Sequence, residues 1–182
     1  MKTEAGQIIT ARRVIIAAGF EAKAYLGAAA GRLKSTYALV SEPVPQLTNW
    51  HRESLIWETG LPYLYLRTLP DHRIIVGGED EDFVNPTRRD ALIAAKTRTL
   101  KRKFSRLFPE IELNVDYSWA GTFGETKDGL PYIGRHPQFP LGLFALGYGG
   151  NGITFSLVAA EIIRDGLLGR SNPDAHIFGF NR

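Results

Sequence analysis

A glycine-rich loop near the end of the sequence places the strongest constraint on the fold. Gly147, Gly149 and Gly152 separate an apolar run at residues 143–146 from a helical pattern at residues 153–168. This spacing is typical of a dinucleotide-binding turn, which opens a βαβ unit of about 30 residues. The few residues after the helix cannot build another such unit, so the loop closes a fold. Because glycines lack Cβ atoms, its N–H groups are suited to approach a ligand that is bound mainly by other elements.

The composition is that of an ordinary globular protein. With 182 residues, 44% of them apolar and 23% charged, the chain can bury a core as one or two small domains. The absence of cysteine excludes disulfides, thiolate metal sites and a cysteine nucleophile. No apolar run approaches the roughly 20 residues that span a bilayer, and the first residues show no signal-peptide pattern. We expect a soluble, cytoplasmic protein.

The net charge of +3 arises from one segment. Residues 87–108 contain eight basic residues and one acidic residue, whereas the rest of the chain contains 14 basic and 18 acidic residues. Asn85 as N-cap and Pro86 at the first helical position predict an amphipathic helix. Its predicted apolar stripe is Ile93, Leu100, Phe104, Leu107 and Phe108. A solvated basic face is favoured over a nucleic-acid surface, because no nucleic-acid-binding motif accompanies it.

The first part of the sequence predicts a strand. Residues 7–18 are β-like, and residues 14–19 form an apolar run suited to a strand buried on both faces. Ala17, Ala18 and Gly19 at its end leave room for a helix or ligand. The alanine-rich residues 21–33 predict one or two short helical turns.

The middle of the sequence predicts an antiparallel sheet. Four β-like runs, at residues 37–41, 55–59, 63–67 and 73–76, are separated by turn signals, and the last two are joined by a tight hairpin. Residues 113–119 predict a returning strand. The final helix presents a broad apolar face made of Phe155, Ala159, Ile162, Ile163 and Leu167.

Other polar patterns give little indication of chemistry. The acidic run at residues 79–82 lacks the spacing of a calcium loop and is interpreted as an acidic turn. The four histidines show no zinc-ligand spacing, and no Gly-x-Ser-x-Gly elbow is present. Trp57, Tyr63 and Tyr65 are interpreted as residues that pack on the sheet, which is the commoner role of such aromatic residues, and Arg67 as a surface residue. The alternative is that a tyrosine or Arg67 faces a pocket.

Three motifs in order carry a family resemblance. They are Trp119-Ala-Gly121, Asp128-Gly-x-Pro131-x-x-Gly134 and Gly147-x-Gly-x-x-Gly152. With the apolar strand that ends at Gly19, they make the chain similar to the C-terminal half of the D-amino-acid oxidase, glycine oxidase and sarcosine oxidase superfamily.

The resemblance implies an α+β fold with an incomplete FAD-binding domain. It assigns residues 1–34 to part of that domain, residues 35–118 to a substrate-binding domain with an antiparallel sheet and a flanking helix, and residues 119–182 to closing strands and a C-terminal helix. It implies FAD as cofactor and no metal. The implied cofactor-side residues are Gly19, Asp128, Gly129, Gly149, Gly150, Asn151, Gly152 and Thr154. N–H groups of residues 151–154 are expected to face the flavin N1–C2=O edge, where negative charge develops on reduction.

The resemblance also implies oxidation of a substrate C–N bond by hydride transfer to FAD. Glycine-oxidase-like members carry a carboxylate-binding arginine where this chain has Phe123, and a further basic position is here Gly150. A bidentate carboxylate clamp is therefore not visible, and an amine without an α-carboxylate or a bulkier amino acid is as plausible a substrate as glycine. The candidate substrate-side residues are Tyr63, Tyr65, Arg67 and Phe123, and no general base is assigned.

One part of the family pattern has no counterpart in the sequence. The N-terminal dinucleotide-binding half, which holds the ADP part of FAD, is not found, so we expect a piece of a larger polypeptide that binds FAD weakly or not at all alone. Two other hypotheses stay open from the residues. One is a non-catalytic α+β module that binds a small molecule or protein; the other is a nucleic-acid contact through the basic helix.

Overall fold

The computed structural model describes residues 2–27 and 31–182. The strands are β1 (Val14–Ile16), β2 (Arg32–Ser41), β3 (Ile56–Trp57), β4 (Leu64–Thr68), β5 (Ile74–Asp82), β6 (Val115–Glu125), β7 (Tyr132–His136) and β8 (Phe139–Leu146). The α-helices are α1 (Lys23–Leu26), α2 (Pro86–Ala91), α3 (Ile93–Leu107) and α4 (Gly152–Leu167), with 3-10 helices at Gly19–Ala22, His51–Glu53 and Ala175–Phe178. The predicted α+β class is confirmed. None of the described helices is both long and apolar enough to cross a membrane.

The chain forms two compact units. Unit 1 combines Met1–Leu33 with Phe123–Arg182, and unit 2 is Lys34–Thr122. Unit 2 is built on a five-stranded sheet with the order β3-β4-β5-β2-β6. The β2–β5, β3–β4 and β4–β5 pairs are antiparallel, as predicted. The predicted hairpin joins β4 to β5, where the N–H of Leu69 donates to the carbonyl of Arg73 at 2.8 Å.

The basic helix covers one face of this sheet. As predicted, Asn85 caps it: its side-chain oxygen accepts a hydrogen bond from the N–H of Arg88 at 2.8 Å, and Pro86 opens the first turn. Leu100 and Phe104 are completely buried in the core of unit 2.

The predicted helix differs from the observed one in two respects. A turn at Leu92 separates α2 from α3, where the Leu92 N–H donates to Arg89. The expected burial of Leu107 is wrong, since its side chain is 46% exposed. The predicted packing of Phe108 is confirmed, because its ring stacks on Trp50 with centroids 4.7 Å apart.

The acidic run at residues 79–82 belongs to β5, so the expected acidic turn is wrong. The Glu79 side chain is buried and forms an ion pair with Lys103 at 2.6 Å, while the Lys96 Nζ lies 2.6 Å from Glu81 Oε1. Lys96 also donates to the Glu79 carbonyl at 3.0 Å. The basic face is thus not simply solvated: two of its lysines neutralise the acidic strand, which allows that strand to join the sheet.

We expect Glu79→Gln to destabilise unit 2 by about 2 kcal/mol, because it removes one charge of a largely buried ion pair and leaves the Lys103 ammonium with the Pro62 carbonyl but without its carboxylate. Chemical denaturation of wild type and variant measures the difference. The matched control is Glu112→Gln, at an exposed position, with an expected change of less than about 0.5 kcal/mol. Equal stability of the Glu79 variant and wild type would contradict the structural role of the pair.

Unit 1 contains a three-stranded sheet with the order β1-β8-β7. β1 runs parallel to β8, and β7 pairs with β8 in antiparallel fashion. Helix α4 packs on this sheet, with Ala159, Ile162 and Ile163 buried as predicted. The predicted burial of Leu167 is wrong, since it is 47% exposed at the last turn.

The first strand is shorter and less buried than predicted. Only Val14–Ile16 forms a strand, since residues 7–13 have no more than an isolated bridge between Lys2 and Ile8. Ile15 is 52% exposed, because β1 is an edge strand of the described sheet and pairs with β8 alone. Short helical turns follow at residues 19–26, and residues 28–30 of the alanine-rich segment lie outside the described residues.

Candidate functional site

The glycine-rich loop connects β8 to α4 in unit 1. Gly147 has a φ of 76°, and a Cβ atom there would lie 2.5 Å from the Thr126 Cγ2 atom, so this position requires glycine. Gly149 also has a positive φ, 56°, and its N–H donates to the carbonyl of Gly124 at 3.0 Å. These contacts fix the loop against the end of β6, where Glu125 forms a bridge with Tyr148.

The amino end of α4 is open. The N–H groups of Gly152, Ile153 and Thr154 donate to no acceptor within the described part of the chain, and no acidic residue lies in the first turn. Ile153 and Thr154 are exposed. An uncapped helix start of this kind carries positive partial charge and unsatisfied donors. The sequence predicted four free N–H donors, at residues 151–154. The N–H of Asn151 is not one of them, because it donates to the Tyr148 carbonyl at 3.1 Å.

The Asp128 loop lies beside the glycine-rich loop. Thr126, which contacts Gly147, is buried, and its hydroxyl donates to the carbonyl of Leu130 at 2.7 Å. The Asp128 carboxylate accepts from the Leu130 N–H at 3.2 Å, and Gly129 has a φ of 75°. Thr126 thereby joins two of the predicted cofactor-side segments.

An arginine that the sequence reasoning did not single out holds the Asp128 loop. Arg182 donates from Nε to Asp128 Oδ2 at 2.7 Å and from Nη2 to Oδ1 at 3.2 Å. It also donates to the carbonyls of Leu130 and Pro131, and its guanidinium lies 4.1 Å from the Tyr132 ring centroid. Hydrogen bonding to Arg182 is the main cause that holds the pKa of Asp128 well below its usual range. No local pattern links residues 54 positions apart, so the sequence offered no signal for this pair.

A hollow of about 650 Å³ lies between β1, β8 and α4. Ile15, Ala17, Ala145, Ala159 and Leu167 are among its lining residues. The small side chains at the end of β1 therefore leave room next to α4. Gly19 follows this strand on the exposed surface; its φ is 55°, and a Cβ atom there would have no other atom within 4 Å.

The substrate-side candidates of unit 2 lie on and next to β4. Tyr63 and Tyr65 are half-buried and Arg67 is exposed. Trp57, which faces Tyr65 across the β3–β4 pair, is 65% exposed. The Trp57 and Tyr63 rings meet edge to face at 6.3 Å, and the Tyr63 and Tyr65 rings meet in a tilted arrangement at 6.3 Å. We call Trp57, Tyr63 and Tyr65 the aromatic cluster.

Phe123 is the remaining substrate-side candidate. It lies on β6 and is half-buried. Within the described ranges, no group of three or more His, Cys, Asp or Glu residues is arranged to hold a metal ion. The cofactor-side candidates and Phe123 thus belong to unit 1, whereas the substrate-side candidates Tyr63, Tyr65 and Arg67 belong to unit 2.

Comparison with known proteins gives the family. The model of the FAD-dependent oxidoreductase family matches residues 1–165, and the chain belongs to this family. Curated relatives include the glycine oxidase of Geobacillus kaustophilus (strain HTA426), 31% identical over 170 residues, which cover 88% of this chain and 41% of the relative. The glycine oxidase of Bacillus licheniformis is 45% identical over 75 residues, 41% of this chain and 20% of the relative. The chain spans less than half the length of these relatives.

Solved structures share the fold. The crystal structure of glycine oxidase from Geobacillus kaustophilus has a TM-score of 0.76 at 22% identity, and the match covers 98% of this chain and 47% of that one. That of L-proline dehydrogenase from P. horikoshii has a TM-score of 0.75 at 19% identity, with coverages of 100% and 49%. Membership of a flavoenzyme family favours the oxidoreductase hypothesis over the non-catalytic module.

Proposed function

We propose that this chain is part of a flavin-dependent oxidoreductase that oxidises the C–N bond of a small amine or amino acid. The observation that carries the proposal is the open amino end of α4, with three N–H groups that lack an acceptor in the described part of the chain, in a member of the FAD-dependent oxidoreductase family. The names of its relatives and structural neighbours, glycine oxidase, L-proline dehydrogenase and iminodiacetate oxidase, support a substrate with an oxidisable C–N bond.

The two units have different proposed roles. Unit 1 is part of the FAD-binding domain, and unit 2 is the substrate-binding domain. The division expected from the sequence, residues 1–34 and 119–182 for the cofactor and residues 35–118 for the substrate, stays a prediction; it differs from the two units at Lys34 and at residues 119–122, which belong to unit 2.

The residues of unit 1 suit the flavin end of FAD. Flavin N1 and the C2 carbonyl are hydrogen-bond acceptors, and Gly152, Ile153 and Thr154 offer N–H donors with no acceptor among the described residues. Gly149 and Gly150 add no side chain that would block the approach. When bound, FAD would supply the acceptor for a hydride from the substrate carbon next to nitrogen, and water would hydrolyse the imine product. The N–H groups at the start of α4 would stabilise negative charge on the reduced cofactor.

On the substrate side, the chain contributes orientation rather than proton transfer. We assign no general base, because hydride transfer from a neutral amine requires none from the protein. Phe123 offers an apolar contact where glycine-oxidase-like proteins have a carboxylate-binding arginine. The aromatic cluster and Arg67 are the proposed contacts from unit 2.

The proposal is tested with the natural polypeptide that joins this chain to a dinucleotide-binding half. We expect it to purify yellow and to bleach when a substrate amine is added without oxygen. The 182-residue chain alone is expected to bind FAD weakly or not at all, because the ADP half of the cofactor has no partner in it. A colourless longer polypeptide that takes up no added FAD would contradict the proposal.

A further inference from the structure

A cavity of about 510 Å³ lies in unit 1, where β7 and β8 meet helix α4 and the segment of residues 175–182. Its wall is mainly apolar, and all of these elements contribute to it. The apolar lining residues are Ile133, Leu143, Ile162, Ile163, Ala175 and Phe180. A volume of this size with a mainly apolar lining is typical of a small-molecule site. The wall therefore suits a ligand with an apolar body.

The polar side chains that line the cavity are basic or neutral. They are Arg135, His176, Asn181 and Arg182, and no aspartate or glutamate is among the described residues of the lining. Arg182 is already paired with Asp128 at 2.7 Å. The Arg135 guanidinium, in contrast, has no hydrogen bond or ion pair within the described residues. The charge that the lining offers to a ligand is therefore positive.

The strand pattern places Arg135 at the opening of the cavity. Side chains two positions apart on a strand point to the same face of the sheet. Ile133 on β7 is buried against α4, so Arg135 lies on the face that this helix covers. Arg135 is itself exposed, which puts its charge where the cavity meets solvent. His176 donates from Nδ1 to the Pro173 carbonyl at 2.8 Å, and its other ring nitrogen has no partner in the described part of the chain.

A glycine of α4 keeps the cavity open. Gly166 lines it from the last turn of the helix. Its φ is not positive, and a Cβ atom there would have no other atom within 4 Å. Neither the backbone conformation nor a close contact requires glycine, although glycine is among the poorest helix formers. A larger residue would instead fill space that now belongs to the cavity.

The carboxyl end of α4 opposes an anion only weakly. A helix carries negative partial charge at this end, on carbonyls that lack an intrahelical partner. The carbonyls of Arg164, Asp165 and Gly166 accept hydrogen bonds from N–H groups of residues 168–170. The Asp165 carboxylate in this turn is also paired, with Arg164 and Asn172. The unpaired guanidinium at the opening is therefore the dominant charge.

We propose that this cavity binds a small carboxylate with an apolar body. The carboxylate pairs with Arg135 at the opening, and the apolar part lies against the wall. Gly152 and Gly166 are near opposite ends of α4, about 20 Å apart at the usual helical rise. The site is therefore separate from the N–H groups proposed for the flavin, and it does not depend on the proposed oxidation.

The test is a titration of the 182-residue chain with octanoate, octanol, octylammonium and acetate. Binding is followed by NMR through the amide signals of Gly134, Gly166 and Gly179, which line the cavity. We expect octanoate to bind at least about tenfold more tightly than octanol, because hydrogen bonds between charged partners are stronger than neutral ones. Octylammonium is expected to bind more weakly than octanol. Acetate is expected to bind at least about tenfold more weakly than octanoate, because it lacks the apolar chain.

Arg135→Gln removes the charge at the opening and leaves the apolar wall intact. We expect it to abolish the preference for octanoate over octanol. The matched control is Arg12→Gln, since Arg12 is an exposed arginine of the same unit that does not line the cavity. This control is expected to keep the preference.

Gly166→Leu places a side chain in the cavity. We expect it to weaken the binding of both octanoate and octanol at least about tenfold, because the wall is then covered by the protein itself. Its Tm is expected to be no lower than that of wild type, since leucine is a better helix former than glycine. The Tm thus separates a filled cavity from a misfolded variant.

Three results would overturn the assignment. The first is binding of octanol or octylammonium by the wild-type chain that is as tight as that of octanoate. The second is a preference for octanoate that Arg135→Gln retains. The third is octanoate binding that Gly166→Leu leaves unchanged, which would place the ligand elsewhere. None of these measurements involves flavin, so this assignment and the oxidoreductase proposal can fail independently.

Discussion

Gly78→Ala is expected to destabilise unit 2 by at least about 3 kcal/mol. Gly78 has a φ of 130°, a conformation that residues with side chains rarely adopt, and a Cβ atom there would lie 2.1 Å from the carbonyl oxygen of Tyr63. The free-energy cost of the strained φ and that of the steric collision add. The colliding atom belongs to the backbone between two paired strands, so it cannot rotate away as a side chain would. Thermal unfolding followed by circular dichroism measures the effect, with an expected fall in Tm of about 6–12 °C.

The control for Gly78 is Gly129→Ala. Gly129 also has a positive φ, 75°, but no atom lies within 4 Å of its Cβ position. The cost there is the conformational one alone, about 1 kcal/mol. If both variants lose equal stability, the close approach of β4 and β5 at Gly78 is not what requires glycine.

Arg182→Ala is expected to destabilise unit 1 by about 2 kcal/mol, after allowance for the partial exposure of the Asp128 carboxylate. The variant loses two hydrogen bonds to Asp128, those to neighbouring carbonyls and the contact with the Tyr132 ring. Urea denaturation measures the loss. Arg12→Ala, at an exposed position, is the control and is expected to change stability by less than about 0.5 kcal/mol.

The contribution of this pair depends on pH in a defined direction. The folded-state pKa of Asp128 is depressed, chiefly by Arg182, so its stabilisation is complete above the ordinary carboxyl pKa of about 4. It is lost as the pH falls below that value toward the depressed pKa. The stability difference between wild type and Arg182→Ala is therefore expected to be constant from about pH 5 to 8 and to shrink below about pH 4. A difference that persists unchanged in acid would assign the effect to packing alone.

Local patterns were sufficient to predict several elements. Each of these elements depends on residues that are close in sequence. They are the start of α2 at Asn85 and Pro86, the β4–β5 hairpin, and the strand, loop and helix around Gly147. The order of the motifs around Asp128 and Gly147 was sufficient to identify the family, because the spacing of loop glycines reflects backbone requirements that the sequence displays directly.

Features that depend on distant partners were not predictable. The Asp128 loop is held by Arg182, and nothing near either residue indicates the other. The acidic run forms a strand rather than a turn because lysines of α3 neutralise Glu79 and Glu81. The exposure of Ile15 is a further case, since an apolar run predicts burial but not how many strands pair with it.

The most direct test concerns the amino end of α4, which we propose stabilises the reduced flavin. The measurement is the two-electron midpoint potential of the FAD-loaded natural polypeptide and of Thr154→Glu, which places a carboxylate in the first helical turn. The added carboxylate is expected to destabilise the reduced flavin by about 1–2 kcal/mol. The midpoint potential of Thr154→Glu is then about 20–40 mV lower than that of wild type. Lys101→Glu, an exposed change of charge on α3, is expected to leave the potential unchanged. A Thr154→Glu potential equal to that of wild type would contradict the account.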